Sequence, residues 1–330
     1  MKPLPPLLFV NVLADRQLRP GAVLLTLANS DSASWDVLLD DPDFLALPNE
    51  FPCFVRPEEV QNFAPELMQR LEKAGIAALG GDVALLTEPP PSALPASVKW
   101  IAGNWFKTPA PKPPGNRATS RLLALELLEL VTADGDIRDI EAVFRRDPTL
   151  SYHLLRIVNS VGVGSGRKIS SLSQAILVLG RQQLKRWLSL LLFSSSKDDK
   201  RADMLLAQAS VRARSLELLA KTAGLDRSWQ ELSFMAGMFS LLGVLFGLPL
   251  PEILKPLQIS DVLVNALLRH ENDLGSLLRA VELAEAGSAA ELPALLEEIG
   301  VSPTEFSAVV VEAHLWMFRF ARAQQDAGHG

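Results

Sequence analysis

The chain has 330 residues, 48% of them hydrophobic and 21% charged, with 32 basic against 38 acidic residues and a net charge of −6. That length exceeds what one hydrophobic core usually organises, so two domains are expected. Basic residues spread along an acidic chain argue against a dedicated nucleic-acid binder, and a single cysteine, Cys53, excludes an internal disulfide framework and a four-cysteine zinc site.

The opening segment, MKPLPPLLFVNVLADRQ, has one lysine and an apolar run broken by prolines. It lacks a small-residue cleavage site and is too short to span a bilayer, so a cytoplasmic protein is expected. PLLFVNVL, AVLLTLA and CFV read as strands. The acidic run DVLLDDPDF, with Asp40, Asp41 and Asp43 around Pro42, reads as a solvated turn rather than a metal site. PEEVQNFAPELMQRLEKAG has helical spacing and a stop at Gly75, and IAALGGDVALLT and VKWIAGNW read as further strands. Strands alternating with helix predict a small α/β domain with a largely parallel sheet over residues 1–106.

Proline sets the boundary. Of 23 prolines, 17 lie in residues 1–116, and a helical domain excludes internal proline. Residues 107–119, KTPAPKPPGNRAT, form the expected semi-rigid connector. Beyond it nearly everything reads as helix, which predicts an all-α bundle over 120–290 and C-terminal helices over 291–330 packed on that bundle. The fold class is therefore α+β overall. Asp147 is placed to cap a helix from Pro148 to about Asn159. SWQELSFMAGMFSLLGVLFG reads as one long buried helix, and Ser302 with Glu305 forms a capping box for the last one.

The candidate chemistry is sparse. His153, His270, His314 and His329 are the only histidines; none precedes an aspartate and no HExxH occurs. They read as structural, with no catalytic residue, metal ligand or cofactor-binding residue assigned. GVGSGRK lacks the spacing of a phosphate loop, and Gly80-Gly81-Asp82 matches no fingerprint. Arg181, Lys185 and Arg186 share a helix with Trp187, and Arg212 and Arg214 lie in SVRARSLELL. They are candidates for a docking surface for an acidic partner or a nucleotide, although Glu217 is placed to pair with Arg214. Trp100, Trp105, Trp187 and Trp229 are candidate anchors at a protein interface.

DPTLSYHLLRIVNS followed by KISSLSQAILVLGRQQLKRWLSLLL resembles the HDOD domain signature: a DP-x-L-S start, a helix ending in LLR-x-x-NS, then I-x-S-I-x-Q-A-I-x-x-LG. The resemblance covers roughly residues 117–290. It implies a fold similar to the His-Asp phosphohydrolases without their metal-binding residues, acting as a non-enzymatic regulatory module in bacterial signalling. Asp147, Pro148, Leu150, Leu155, Asn159, Ser160, Gln174, Ala175 and Gly180 are then signature positions with structural roles.

VKWIAGNWFKTPAP resembles the closing segment of an EAL domain, a (β/α)₈ barrel that hydrolyses cyclic di-GMP with bound metals. Ala102 stands where that family has Gln, and EAL-x-R, DDFG and EGVE-type elements are absent. The first domain thus resembles a truncated, degenerate EAL relative. These resemblances imply a regulatory protein without catalysis or cofactor, acting through an unidentified protein partner of a bacterial signalling pathway. The alternatives are a cyclic di-GMP receptor without turnover, a divergent metal phosphohydrolase and a nucleic-acid-binding regulator.

Overall fold

The computed structural model describes residues 7–28, 32–61, 63–90, 94–108, most of 123–146, scattered positions from 174 to 193, 199–257 and 259–326. The expected linker beyond Thr108 lies outside the described residues, as do His153, His329, the Gly-rich segment 162–168 and most signature positions: Asp147, Pro148, Leu150, Leu155, Asn159, Ser160 and Ala175. Arg181 and Trp187 lie outside them too.

Leu8–Ala14 (β1) and Pro20–Leu27 (β2) pair antiparallel, in register from Leu8 opposite Leu27 to Leu13 opposite Ala22. The Asp15 carboxylate accepts the backbone N–H groups of Gln17 and Arg19 at 2.8 and 2.9 Å, which pins the turn between them. Ser32–Leu39 (α1) and Pro42–Glu50 (α2) lead to β3 (Cys53–Val55). Pro57–Val60 (α3) and Pro65–Lys73 (α4) lead to β4 (Ile76–Ala78), with Gly75 at φ +82° ending α4 as its position predicts. Val83–Leu85 (β5), Trp100–Ala102 (β6) and a short 3₁₀ turn at Trp105–Lys107 complete this half.

The six strands lie in the order β4-β3-β2-β1-β6-β5. The expectation of a largely parallel sheet needs correcting. β2–β3, β3–β4 and β5–β6 are parallel, but β1 is antiparallel to both its neighbours. The turn after β1 is too short for a crossover, so it enforces reversal. The acidic run keeps the expected turn at Asp40-Asp41, between α1 and α2, with helix on either side. Asp36 lies within α1, Asp41 caps α2 by accepting Asp43 N, and the Arg70 guanidinium bridges Asp36 and Asp40.

The sheet is strongly curled. β4 and β5 occupy opposite edges, yet only Leu79–Asp82 joins them. Six flat strands would be about 24 Å wide, whereas that connection reaches about 18 Å at most. Curling turns Leu13, Ala22, Leu24 and Ala102 onto a concave inner face, closed at one end by Phe54 and Trp100, whose ring centroids lie 5.8 Å apart. The result is a half-barrel with a filled floor and an open mouth.

The second half is helical: α5 (Ile137–Arg146), α6 (Ala202–Thr222), α7 (Arg227–Phe239), α8 (Leu242–Phe246), α9 (Leu250–Leu254), α10 (Asp261–Arg269), α11 (Asn272–Glu285), α12 (Leu292–Glu298) and α13 (Pro303–Asp326). α6 is buried on nearly every face and forms its axis. The single long helix expected over the FMAGMFSLLGVLFG stretch is broken into α7 and α8 at Ser240-Leu241. The Ser240 hydroxyl donates to Gly237 O at 2.7 Å and accepts from Arg212 at 2.8 Å, which ends the helix there. By length and composition Arg227–Phe246 could cross a membrane, but 56% of it is buried inside the protein. The capping box forms: Ser302 N donates to Glu305 Oε2 at 2.9 Å, and Glu305 N to Ser302 Oγ at 3.3 Å.

The two halves share one apolar core. α13 packs across α6 and reaches back to β1 and α2. The buried Leu8 N–H donates to Ser307 Oγ at 3.0 Å, Phe51 stacks on Phe318 at 4.3 Å, and Arg319 pairs with Glu50.

Candidate functional site

Helix spacing brings Arg212 of α6 to the start of a buried charge network. Its guanidinium grips Glu285 of α11 with two parallel bonds of 2.8 and 2.6 Å, and a third nitrogen reaches Glu282 at 3.3 Å. Lys107, from the 3₁₀ turn after β6, donates to the same Glu285 at 2.9 Å. Glu282 in turn meets His270 Nε2 at 2.7 Å, and His270 sits at φ +54° where α10 ends. Burial opposes ionisation of Glu285, but Arg212 and Lys107 overcome it and hold the carboxyl at about 2. Burial likewise opposes the Arg212 charge, and Glu285 and Glu282 more than offset it.

A second network lies on the far side of α6. Arg186 grips Glu217 with two bonds of 2.7 Å and lies 3.7 Å from the Phe234 ring centroid. Arg214 donates to Glu217 at 2.8 Å, the pairing its spacing suggested, and also pairs with Glu312. Burial raises the Glu217 pKa and the two arginines pull it below the usual carboxylate range.

The residues singled out as a candidate docking surface are therefore placed differently from one another. Arg212 is 5% exposed and points inward, which removes it from any surface. Arg186 and Arg214 are mostly buried and spent on acids of the same chain. Lys185 is half-buried and has contacts of its own. Of the tryptophans, Trp105 is fully buried and belongs to the core, a correction to its reading as an anchor, while Trp100 and Trp229 are half-buried against apolar neighbours. Gln174 is helical and exposed, and Gly180 takes φ +70°, the conformation for which glycine suits a helix stop.

His314 of α13 is buried, and its Nδ1 bonds to Val310 O at 2.7 Å. Burial pushes its pKa down to about 4, so the ring is neutral at pH 7. Among the described residues, no three His, Cys, Asp or Glu side chains stand together as a metal site.

No local pattern of residues announces the cleft at the half-barrel mouth. It encloses about 460 Å³ between the inner face of the sheet and the roof formed by α6 and the end of α11. Asn11, Thr26, Arg56 and Asn104 face it from below, and Gln208 and Glu285 from above. A narrower recess of about 40 Å³ adjoins it and ends at Ser215 and His314. Neither Lys107 nor Glu285 was foreseen, because their pairing spans 178 residues and leaves no local pattern.

Residues 122–256 match the sequence profile of the HDOD domain. These residues are an HDOD domain. The HDOD segment contains Arg186, Arg212 and Arg214, whereas Lys107 precedes it and Glu282, Glu285 and Glu312 follow it. Over 167 residues the chain is 35% identical to the uncharacterised Bacillus subtilis protein YuxH, covering 49% of this chain and 40% of that protein. Over 224 residues it is 29% identical to CdgJ of Vibrio cholerae, named a cyclic di-GMP phosphodiesterase, covering 67% and 51% respectively. The chain thus spans about half, or less, of these relatives. A Shewanella amazonensis crystal structure described as a candidate phosphohydrolase aligns over 62% of this chain and 93% of its own, at 15% identity and a TM-score of 0.43. The HDOD match and these relatives make this a signalling-family chain of mixed α+β fold.

Proposed function

We propose that this is a non-catalytic regulatory protein of a bacterial signalling pathway, cytoplasmic, acting by binding a protein partner. One observation carries the reading: among the described residues of the HDOD segment, Arg186, Arg212 and Arg214 are engaged by acids of the same chain. Arg186, Arg212 and Arg214 are committed to Glu217, Glu285, Glu282 and Glu312, and His270 and His314 to Glu282 and Val310. Arginines so engaged serve the framework, while His314 is buried and His270 lies exposed, both beyond the HDOD segment. The half-barrel is proposed as a degenerate EAL relative. Its curled strand-and-helix order and the VKWIAGNWF segment support this, with Ala102 in place of the family's Gln.

A second reading, a cyclic di-GMP receptor without turnover, is favoured by the likeness to CdgJ. The test is incubation of the full chain with cyclic di-GMP in Mg and Mn buffers, with calorimetry for binding and chromatography for the linear product. No turnover is expected. Saturable binding without product supports the receptor reading, and appearance of linear product overturns the non-catalytic one.

A further inference from the structure

We propose that the recess beside the cleft, where β1 meets α6 and α13, is a site for a short row of ordered water molecules that joins the sheet to the helices. The inference goes beyond the regulatory reading and does not depend on it.

The edge of a strand supplies one wall. Leu7 O accepts from Ala28 N across the β1–β2 pair. Backbone groups alternate in direction along a strand, so the N–H groups of Leu8, Val10 and Val12 leave β1 on the side away from β2. β6 meets that side only at Ala14, opposite Ile101. Ser307 Oγ takes the Leu8 N–H at 3.0 Å, and among the described residues no group of the protein takes those of Val10 and Val12. The recess runs along this edge, with Leu8, Val10 and Val12 in its wall.

The helices supply the opposite wall. Ser215 of α6 is 3% exposed and His314 of α13 is 4% exposed, and both line the recess. Among the described residues the Ser215 hydroxyl has no hydrogen-bond partner. His314 Nδ1–H donates to Val310 O and the ring is neutral at pH 7, so Nε2 keeps a lone pair that no described donor meets. Glu285, which also lines the recess, is held by Lys107 and Arg212.

Two N–H donors on one side, with a hydroxyl and an imidazole acceptor on the other, match a row of waters that accept from the strand and donate to the helices. Buried polar groups without protein partners are ordinarily satisfied in this way. The volume of about 40 Å³ holds about two or three waters. Asn11, Asn104 and Gln208 line both the recess and the cleft, so water enters between polar side chains. The row takes the place of a neighbouring strand along β1 and carries its hydrogen bonds across to α6 and α13.

The experiment counts long-lived internal water in the full chain by oxygen-17 magnetic relaxation dispersion, beside the unfolding midpoint, for the parent and for Ser215→Val. The valine methyl groups replace the hydroxyl and fill the inner end of the recess. The variant should lose at least one long-lived water and unfold at a lower midpoint, because the groups of Val10, Val12 and His314 lose their partner. In a dry recess the same change would remove a buried unpaired hydroxyl and fill a void, and the midpoint would rise. A water count that Ser215→Val leaves unchanged overturns the proposal, and so does a midpoint at or above the parent's. Should the variant fail to fold, a crystal of the parent decides. Ordered water within about 3.2 Å of His314 Nε2 supports the proposal, and a recess without water density overturns it.

Discussion

Lys107 and Glu285 are 178 residues apart in the chain and 2.9 Å apart in the structure. The lysine belongs to the half that carries the sheet, and the glutamate to the helix that roofs it. Between them and Arg212 they form a charged joint that apolar packing alone would not orient. Replacing Glu285 by Gln leaves buried Arg212 with only its longer contact to Glu282, at a cost of about 3 kcal/mol. Lys107→Met removes a more exposed charge and should cost about 1 kcal/mol or less. Urea unfolding of both variants beside the parent checks the order.

Acid should loosen the protein in two stages. His314 binds its proton at about 4 when folded, against an ordinary value of 6.5. The unfolded chain therefore takes up more protons between those values, so this contribution is complete above pH 6.5 and is lost as pH falls toward 4. It amounts to about 3 kcal/mol. Glu285, held at about 2 against 4.5, contributes stability that is complete above 4.5 and lost toward 2. Denaturation of the parent and of His314→Gln at pH 7.5 and 4.5 tests the first stage. The variant should show a much smaller drop.

α6 and α7 approach so closely at Gly237 that an added Cβ would lie 2.4 Å from Ala213 Cα. Both atoms belong to backbone-anchored positions that cannot swing aside. Gly237→Ala should therefore destabilise the protein by about 1–3 kcal/mol through overpacking, read as a lowered thermal midpoint. A midpoint equal to the parent's would show that the two helices can part without cost.

Cys53 is buried in β3, and burial pushes its thiol up to about 12. The thiolate is the reactive form, so a disulfide reagent at pH 8 should leave the native chain unlabelled. One equivalent should react after guanidinium unfolding. Rapid labelling of the native chain would mean that the sheet opens readily at β3.

Local signals carried much of the fold. Apolar runs marked β1 and β2, Gly75 marked the end of α4, and Ser302 with Glu305 marked the start of α13. Each depends on a few neighbouring residues, which is why it is visible in one dimension. The direction of β1 was misjudged because alternation with helix suggested crossovers, and only the brevity of the Asp15–Arg19 turn dictates reversal. The arginines were legible as candidates but not in their roles. Arg214 could be matched with Glu217 three residues on, whereas nothing near Arg212 announces Glu285, 73 residues away. The mouth cleft was invisible for the same reason, since Asn11, Asn104 and Gln208 meet only through the packing of α6 onto the sheet.

The bond from Leu8 N–H to the Ser307 hydroxyl joins positions separated by 299 residues. At translation rates of about 5–20 residues per second, the first strand waits roughly 15–60 s for this partner to be made. During that interval its apolar outer face has no α13 to cover it. The sheet half therefore cannot finish maturing on the ribosome ahead of the helices, as an independent leading domain would. α13 is thus the element on which completion of the sheet half depends.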